Sequence, residues 1–166
     1  NSFLCTKQQF DNFELEVEVI VDDTTNQGIQ FRSRVKPQTV GKGFANLAGR
    51  VWGPQLEIRQ FQGMDKPTTG FIYGEAMGVG YLNPNYTYGK GHQTYVDKSW
   101  NKLRIVAQGA RLRTWLNGHL IDDVTNEEAY ETHPHGFVAL QVHGMNDNRT
   151  YEMGWRNIRI RPLLKQ

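Results

Sequence analysis

A single cysteine, Cys5, occurs in 166 residues. No internal disulfide can form and no thiolate metal site can be assembled; beside Phe3 and Leu4, Cys5 reads as a small buried hydrophobe. Charge of one sign is also lacking. The 19 Lys plus Arg against 17 Asp plus Glu leave a formal net charge of +2, too little to argue for nucleic acid or an anionic membrane as partner. No apolar run approaches the roughly 20 residues of a membrane span. No signal peptide is visible, which would equally be true of a mature exported fragment. No segment carries a sustained helical period, so a helical fold is excluded.

Period-two alternation is what the chain has instead. Phe13 to Val21 (FELEVEVIV) places Phe13, Leu15, Val17, Val19 and Val21 on one face and Glu14, Glu16 and Glu18 on the other, the pattern of a half-buried antiparallel strand. Gly28 to Arg34, Gln55 to Phe61 and FIYGEA from Phe71 alternate likewise. Turns are expected at Asp22-Asp23-Thr24-Thr25-Asn26 and from Gly63 to Gly70. Asn117-Gly118 is a two-residue hairpin signal because both positions favour positive φ, so Leu103 to Val124 is expected to form a three-strand meander. One short helix is expected at Glu127 to Tyr130, and a last strand within Tyr151 to Leu163. Short strands punctuated by turn residues mean an all-β sandwich of two antiparallel sheets. A chain near this size buries about 70% of its unfolded surface, enough for one core across residues 1–166.

The chemistry-bearing residues fall on the polar faces of four strands. In Gly136 to Gly144 (GFVALQVHG), Gln141 and His143 share a face with Phe137 and Ala139. Gln30 and Arg32, Gln55 and Glu57, and Tyr73 and Glu75 occupy corresponding positions elsewhere. If those strands are neighbours, two carboxylates, a guanidinium and an imidazole share one floor, an inventory for acid/base work and anion stabilisation. Each has a bland alternative. Arg32 and Glu57 can form an exposed cross-strand pair, His143 can bond backbone at a strand end, and Tyr73 can simply pack. His133-Pro134-His135 has a metal-pair spacing, but solvated histidines are favoured. Trp52, Trp100, Trp115 and Trp155 are expected in the core, Trp115 above all. Tyr81, Tyr86, Tyr88 and Tyr95 lie in an aperiodic stretch from Met77 to Tyr95, long enough to be either functional or disordered.

Seven phrases in register, FDNFELEVEV, NQGIQFR, GPQLEI, TGFIYGEA, WNKLRIVAQGARLRTWLNG, ALQVHG and WRNIRIRPL, resemble the 3-keto-disaccharide hydrolase domain family. The resemblance implies a concanavalin A-like jelly roll. It also implies a bacterial, exported (periplasmic or extracellular) enzyme that cleaves the glycosidic bond of 3-keto-glycosides. The C3 ketone acidifies the C2 proton; a base removes it, the C1 substituent leaves, and water adds back. On that reading His143 or Glu57 is the base, Arg32 or a divalent cation meets the enolate, and Glu75 is acid or ligand. Gln30, Gln55, Tyr73 and Gln141 hold the sugar. Two departures stand out: the family's earlier Trp-containing segment is missing, and Asn26-Gln27-Gly28 replaces Asn-Ser-Gly. The rival reading is a non-catalytic, lectin-like carbohydrate-binding module, since one scaffold hosts both.

Overall fold

Alternating apolar residues need a second layer to cover them, and the chain supplies it by pairing two sheets. The computed structural model describes residues 1–166 except 22–24, 40–41, 60–66, 87–93, 145–147 and 165–166. The described strands are β1 (Ser2–Phe10), β2 (Phe13–Val21), β3 (Asn26–Val35), β4 (Val51–Arg59), β5 (Ile72–Glu75), β6 (Gly80–Tyr81), β7 (Asn101–Gln108), β8 (Arg111–Leu116), β9 (His119–Thr125), β10 (Gly136–Val142) and β11 (Met153–Pro162), with one helix, α1 (Glu127–Thr132), before β10. The front sheet runs β1-β10-β3-β4-β5-β6 and the back sheet β11-β2-β7-β8-β9. Every pairing is antiparallel, in a jelly-roll sandwich. No described helix is long and apolar enough to cross a membrane.

Between the sheets, Ile29, Phe31, Leu56, Ile58, Ile72, Val138 and Leu140 from the front meet Phe13, Leu15, Val17, Leu103, Ile105 and Leu116 from the back. These are the inward sets that period-two alternation assigns to β2, β4, β7 and β10. The back sheet's outer face carries its charges in pairs: Arg104 with Glu14 at 2.6 Å, Lys102 with Glu16 at 3.0 Å and Arg156 with Glu18 at 2.7 Å, together with Arg161 on Glu14. The expected hairpin is present, with Asn117 at φ 49° and Gly118 at 85°. The expected helix extends to Thr132, capped by Asn126 Oδ1 accepting from the Ala129 amide at 2.9 Å.

Several expectations fail for local reasons. Strand β1 was not anticipated, because an edge strand with one largely exposed face carries no apolar stripe. Cys5 on it is exposed rather than buried. None of the four tryptophans is fully buried, although Trp155 packs against the core. Trp115 faces outward, with the Arg104 guanidinium 4.2 Å and that of Arg113 5.7 Å from its ring centre; the alternation of β8 turns Leu112, Thr114 and Leu116 inward. His133 is buried against Trp52, ring centres 4.3 Å apart, while His135 is exposed. Burial, then the charges of Arg34 and Lys36, push His133 down to about 4, so it is a neutral core histidine. Phe71, expected to share a face with Tyr73 and Glu75, belongs to the core. The turn at residues 22–24, the chain from Gln60 to Lys66 and Tyr88 lie outside the described residues.

Arg32 departs furthest from expectation. A bulge in β3 shifts its register between Gln30 and Arg34, and Arg32 sits at φ 49° within it. The bulge turns its side chain away from the polar face. The guanidinium is 1% exposed and donates to Asp11 O and Gly109 O, each at 2.7 Å, and to Asn12 Oδ1 at 3.2 Å. It also lies 5.0 Å from the Tyr130 ring centre. One side chain thus ties the β1–β2 turn, the β7–β8 turn and α1 together. Arg32→Met leaves these acceptors without their donor, an expected loss of about 2–4 kcal/mol in urea unfolding.

Candidate active site

The β4 side chains that turn away from the core follow Gly53, Gln55, Glu57 and Arg59, every second residue. Cross-strand partners extend that face: Glu75 opposite Gly53, Tyr73 opposite Gln55, Gly28 opposite Glu57 and Asn26 opposite Arg59. Tyr81 continues it beyond Tyr73. Together with Asn1, Arg50, Gln141 and His143 they line a cleft of about 520 Å³.

A glycine makes the floor possible. A Cβ at Gly28 would lie 2.5 Å from Gln55 Cδ, so only the bare backbone lets the Gln55 side chain lie across β3. From there its Nε2 donates to Glu57 Oε1 at 3.0 Å and points to Gln141 Oε1 at 3.4 Å. The result is an amide bridge from β4 to β10, 1% exposed at both glutamines. Gln55 Oε1 is buried without a partner among the described residues.

Glu57 is 5% exposed. Burial raises its pKa most, the Gln55 hydrogen bond lowers it, the Glu75 charge raises it and Arg59 lowers it, leaving it at about 7. The acid and carboxylate forms therefore coexist near neutrality. Burial and the two carboxyl groups raise the Tyr73 phenol, and burial foremost lifts Tyr81 to about 12. Both phenols stay neutral, their rings edge to face at 5.2 Å. Arg50 donates to Glu75 Oε1 at 2.5 Å with both side chains largely shielded. Arg59, by contrast, makes no side-chain hydrogen bond to a described residue. His143 closes the far side. Its amide donates to Gln27 Oε1 at 3.0 Å, and its Nδ1 lies 2.8 Å from Gly144 O. A carbonyl only accepts, so Nδ1 carries a hydrogen, and Nε2 is the nitrogen that bears the lone pair in the neutral ring.

The sequence profile of the 3-keto-alpha-glucoside-1,2-lyase-like domain matches residues 1–161. The chain belongs to that family. No curated protein matches the chain by sequence. Among solved structures, this lyase-like domain is similar to a candidate glycosyl hydrolase from Parabacteroides distasonis ATCC 8503 (TM-score 0.61, 19% identity, covering 97% of this chain and 83% of that one). The carbohydrate binding module CBM66 from Bacillus subtilis matches at TM-score 0.60 and 13% identity, over 95% and 80% of the two chains. Congerin II liganded with lactose matches at 0.50 and 11% identity, over 96% and 98%. At these identities the likeness is one of fold.

Of the expected site residues, the lyase-like domain brings Gln55, Glu57, Tyr73, Glu75, Gln141 and His143 to one cleft. Arg32 is not among them; the bulge has carried it to the end of the sandwich. Gln30 is fully buried beside Gln55 and does not line the cleft, its amide atoms lacking partners among the described residues. Sequence reasoning missed Arg50, which precedes β4 in a stretch without periodicity. It also passed over Arg59, although the parity of Gln55 and Glu57 pointed to it. Among the described residues no group of three His, Cys, Asp or Glu is placed to hold a metal ion. Among the described residues the cations that line the cleft are Arg50 and Arg59.

Two outcomes test this geometry. Folded Glu57 holds its proton up to about 7, whereas an unfolded one releases it near 4.3. Its contribution to stability thus falls as pH rises between those values and stays low above them. Glu57→Gln removes that fall, so relative to the parent the variant gains about 3 kcal/mol between pH 4 and pH 8 in denaturant titrations. Gly28→Ala displaces the Gln55 amide and with it the hydrogen bond that lowers Glu57, so the Glu57 carboxyl titrates at higher pH by carbon NMR.

Proposed function

We propose that the protein cleaves the glycosidic bond of 3-keto-glycosides by C2 proton abstraction, elimination and rehydration. The observation that carries this reading is Glu57, a buried carboxyl balanced at about 7 on the floor of a polar cleft. A module that only binds sugar has no use for such a group.

The order of residues along the cleft supports a pose. Arg59 lies at the same end as Asn26 and His143, Glu57 is next along β4, and Glu75 with Arg50 stands beyond. The C3 oxygen faces Arg59, the C2 hydrogen faces His143 Nε2, and the C1 oxygen faces Glu57. His143 takes the C2 proton, and the C–H electron pair forms the enolate, whose charge Arg59 meets. As the ketone re-forms, that pair becomes the C1–C2 double bond and the C1–oxygen bond breaks. The departing oxygen takes its proton from Glu57, which is then the base that draws a proton from water adding at C1. Protonated His143 returns a proton to C2. The Tyr73 ring packs on the sugar, and Gln55 Oε1 accepts from a hydroxyl.

A 3-keto-glucoside incubated with the protein in heavy water tests the reading. Aglycone release with deuterium at C2 is expected, and His143→Gln and Glu57→Gln are each expected to lower kcat by about 10²–10⁴. In the parent, kcat/KM falls above about pH 7 as Glu57 ionises, a limb the Glu57→Gln variant lacks. Release without deuterium at C2, or full turnover by both variants, overturns the mechanism. No release at all returns the protein to the class of sugar binders.

A further inference from the structure

Beside the polar cleft, and sharing Asn1 and Arg50 with it, runs a groove of about 250 Å³ whose other walls include Phe3, Leu47, Ala48 and Val51. Its chemistry is opposite to that of the cleft. Several of the backbone groups that form it are already taken: Lys36 N donates to Arg50 O at 2.8 Å, Gly49 N to Lys36 O at 2.9 Å and Arg50 N to Leu47 O at 3.4 Å. The Ala48 amide is taken by Thr39 Oγ1 at 3.0 Å. A sugar ring placed there would leave hydroxyls without partners, whereas an alkyl or aryl group loses nothing and covers Leu47, 44% exposed in its absence. A second groove, reached past His143, mixes the polar Thr25, Gln27, Arg149 and Glu152 with Val142, Tyr151 and Met153.

We infer that the groove of Phe3, Leu47 and Val51 is the aglycone subsite, and that the preferred substrates carry an apolar, alkyl or aryl, aglycone rather than a second sugar. This rests on the proposed elimination, in which the C1 oxygen points past Glu57 toward Arg50, one of the two residues at which cleft and groove meet.

Methyl and n-hexyl 3-keto-glucosides of one anomeric configuration have leaving groups of similar basicity, so they differ only in what the groove can bury. The expected kcat/KM is at least ~10-fold higher for the hexyl compound, a modest share of what five fully buried methylenes would give. Leu47→Asp, at a position where the charge reaches solvent, brings that ratio toward one, and Leu47→Gln does so less completely. A ratio near one in the parent protein, a ratio untouched by both variants, or a hexosyl aglycone preferred over hexyl each overturns the inference while leaving the elimination standing. If neither compound is cleaved, the elimination fails and the groove is judged by calorimetry. Ten-fold tighter binding of n-hexyl than of methyl glucoside, lost in Leu47→Asp, still supports it, and equal affinities sink it.

Discussion

The cleft depends on one buried amide lying over one missing side chain. Gln55 crosses β3 only because Gly28 has no Cβ, and from that position it holds Glu57 on one side and reaches Gln141 on the other. Without that donor only the Arg59 charge, the weakest of the four influences, would favour ionisation of Glu57 against burial and the neighbouring Glu75 charge. With it the carboxyl is balanced rather than simply neutral. A group in that condition loses or gains a proton at little cost, which is what an acid that must turn base within one cycle requires.

The two sheets divide the labour. The back sheet spends its outer face on cross-strand ion pairs and guanidinium–tryptophan stacking, so its polar residues are occupied with one another. The front sheet leaves buried amide and carboxyl atoms open toward a hollow. Arg32, the cation that sequence parity suggested for chemistry, instead joins turns at the end of the sandwich. Arg50 and Arg59 provide the positive charge of the cleft from the two ends of β4. The family and a fold shared with a carbohydrate binding module thus meet a cleft with a buried carboxyl held at about 7.

Much of this was legible in the chain. Alternation in Phe13–Val21, the meander with Asn117-Gly118 at its turn, and the polar face of Gly136–Val142 all depend on local periodicity, which two-layer packing rewards at every position. The same parity marked Gln55, Glu57, Tyr73, Glu75, Gln141 and His143, because a strand cannot turn alternate residues to the same side.

Parity fails wherever the backbone breaks it, and there only the tertiary structure decided. A single positive-φ residue in β3 reversed Arg32. Strand β1 is held by an edge partner rather than by an apolar stripe, and Arg50 reaches the cleft from aperiodic chain. The balance at Glu57 is set by its burial between strands, by Gln55 and Arg59 on its own strand and by Glu75 across on β5. Periodicity is a property of neighbouring peptide units and can be read along the chain; burial and charge proximity are properties of the space between strands and exist only once the sheets have closed.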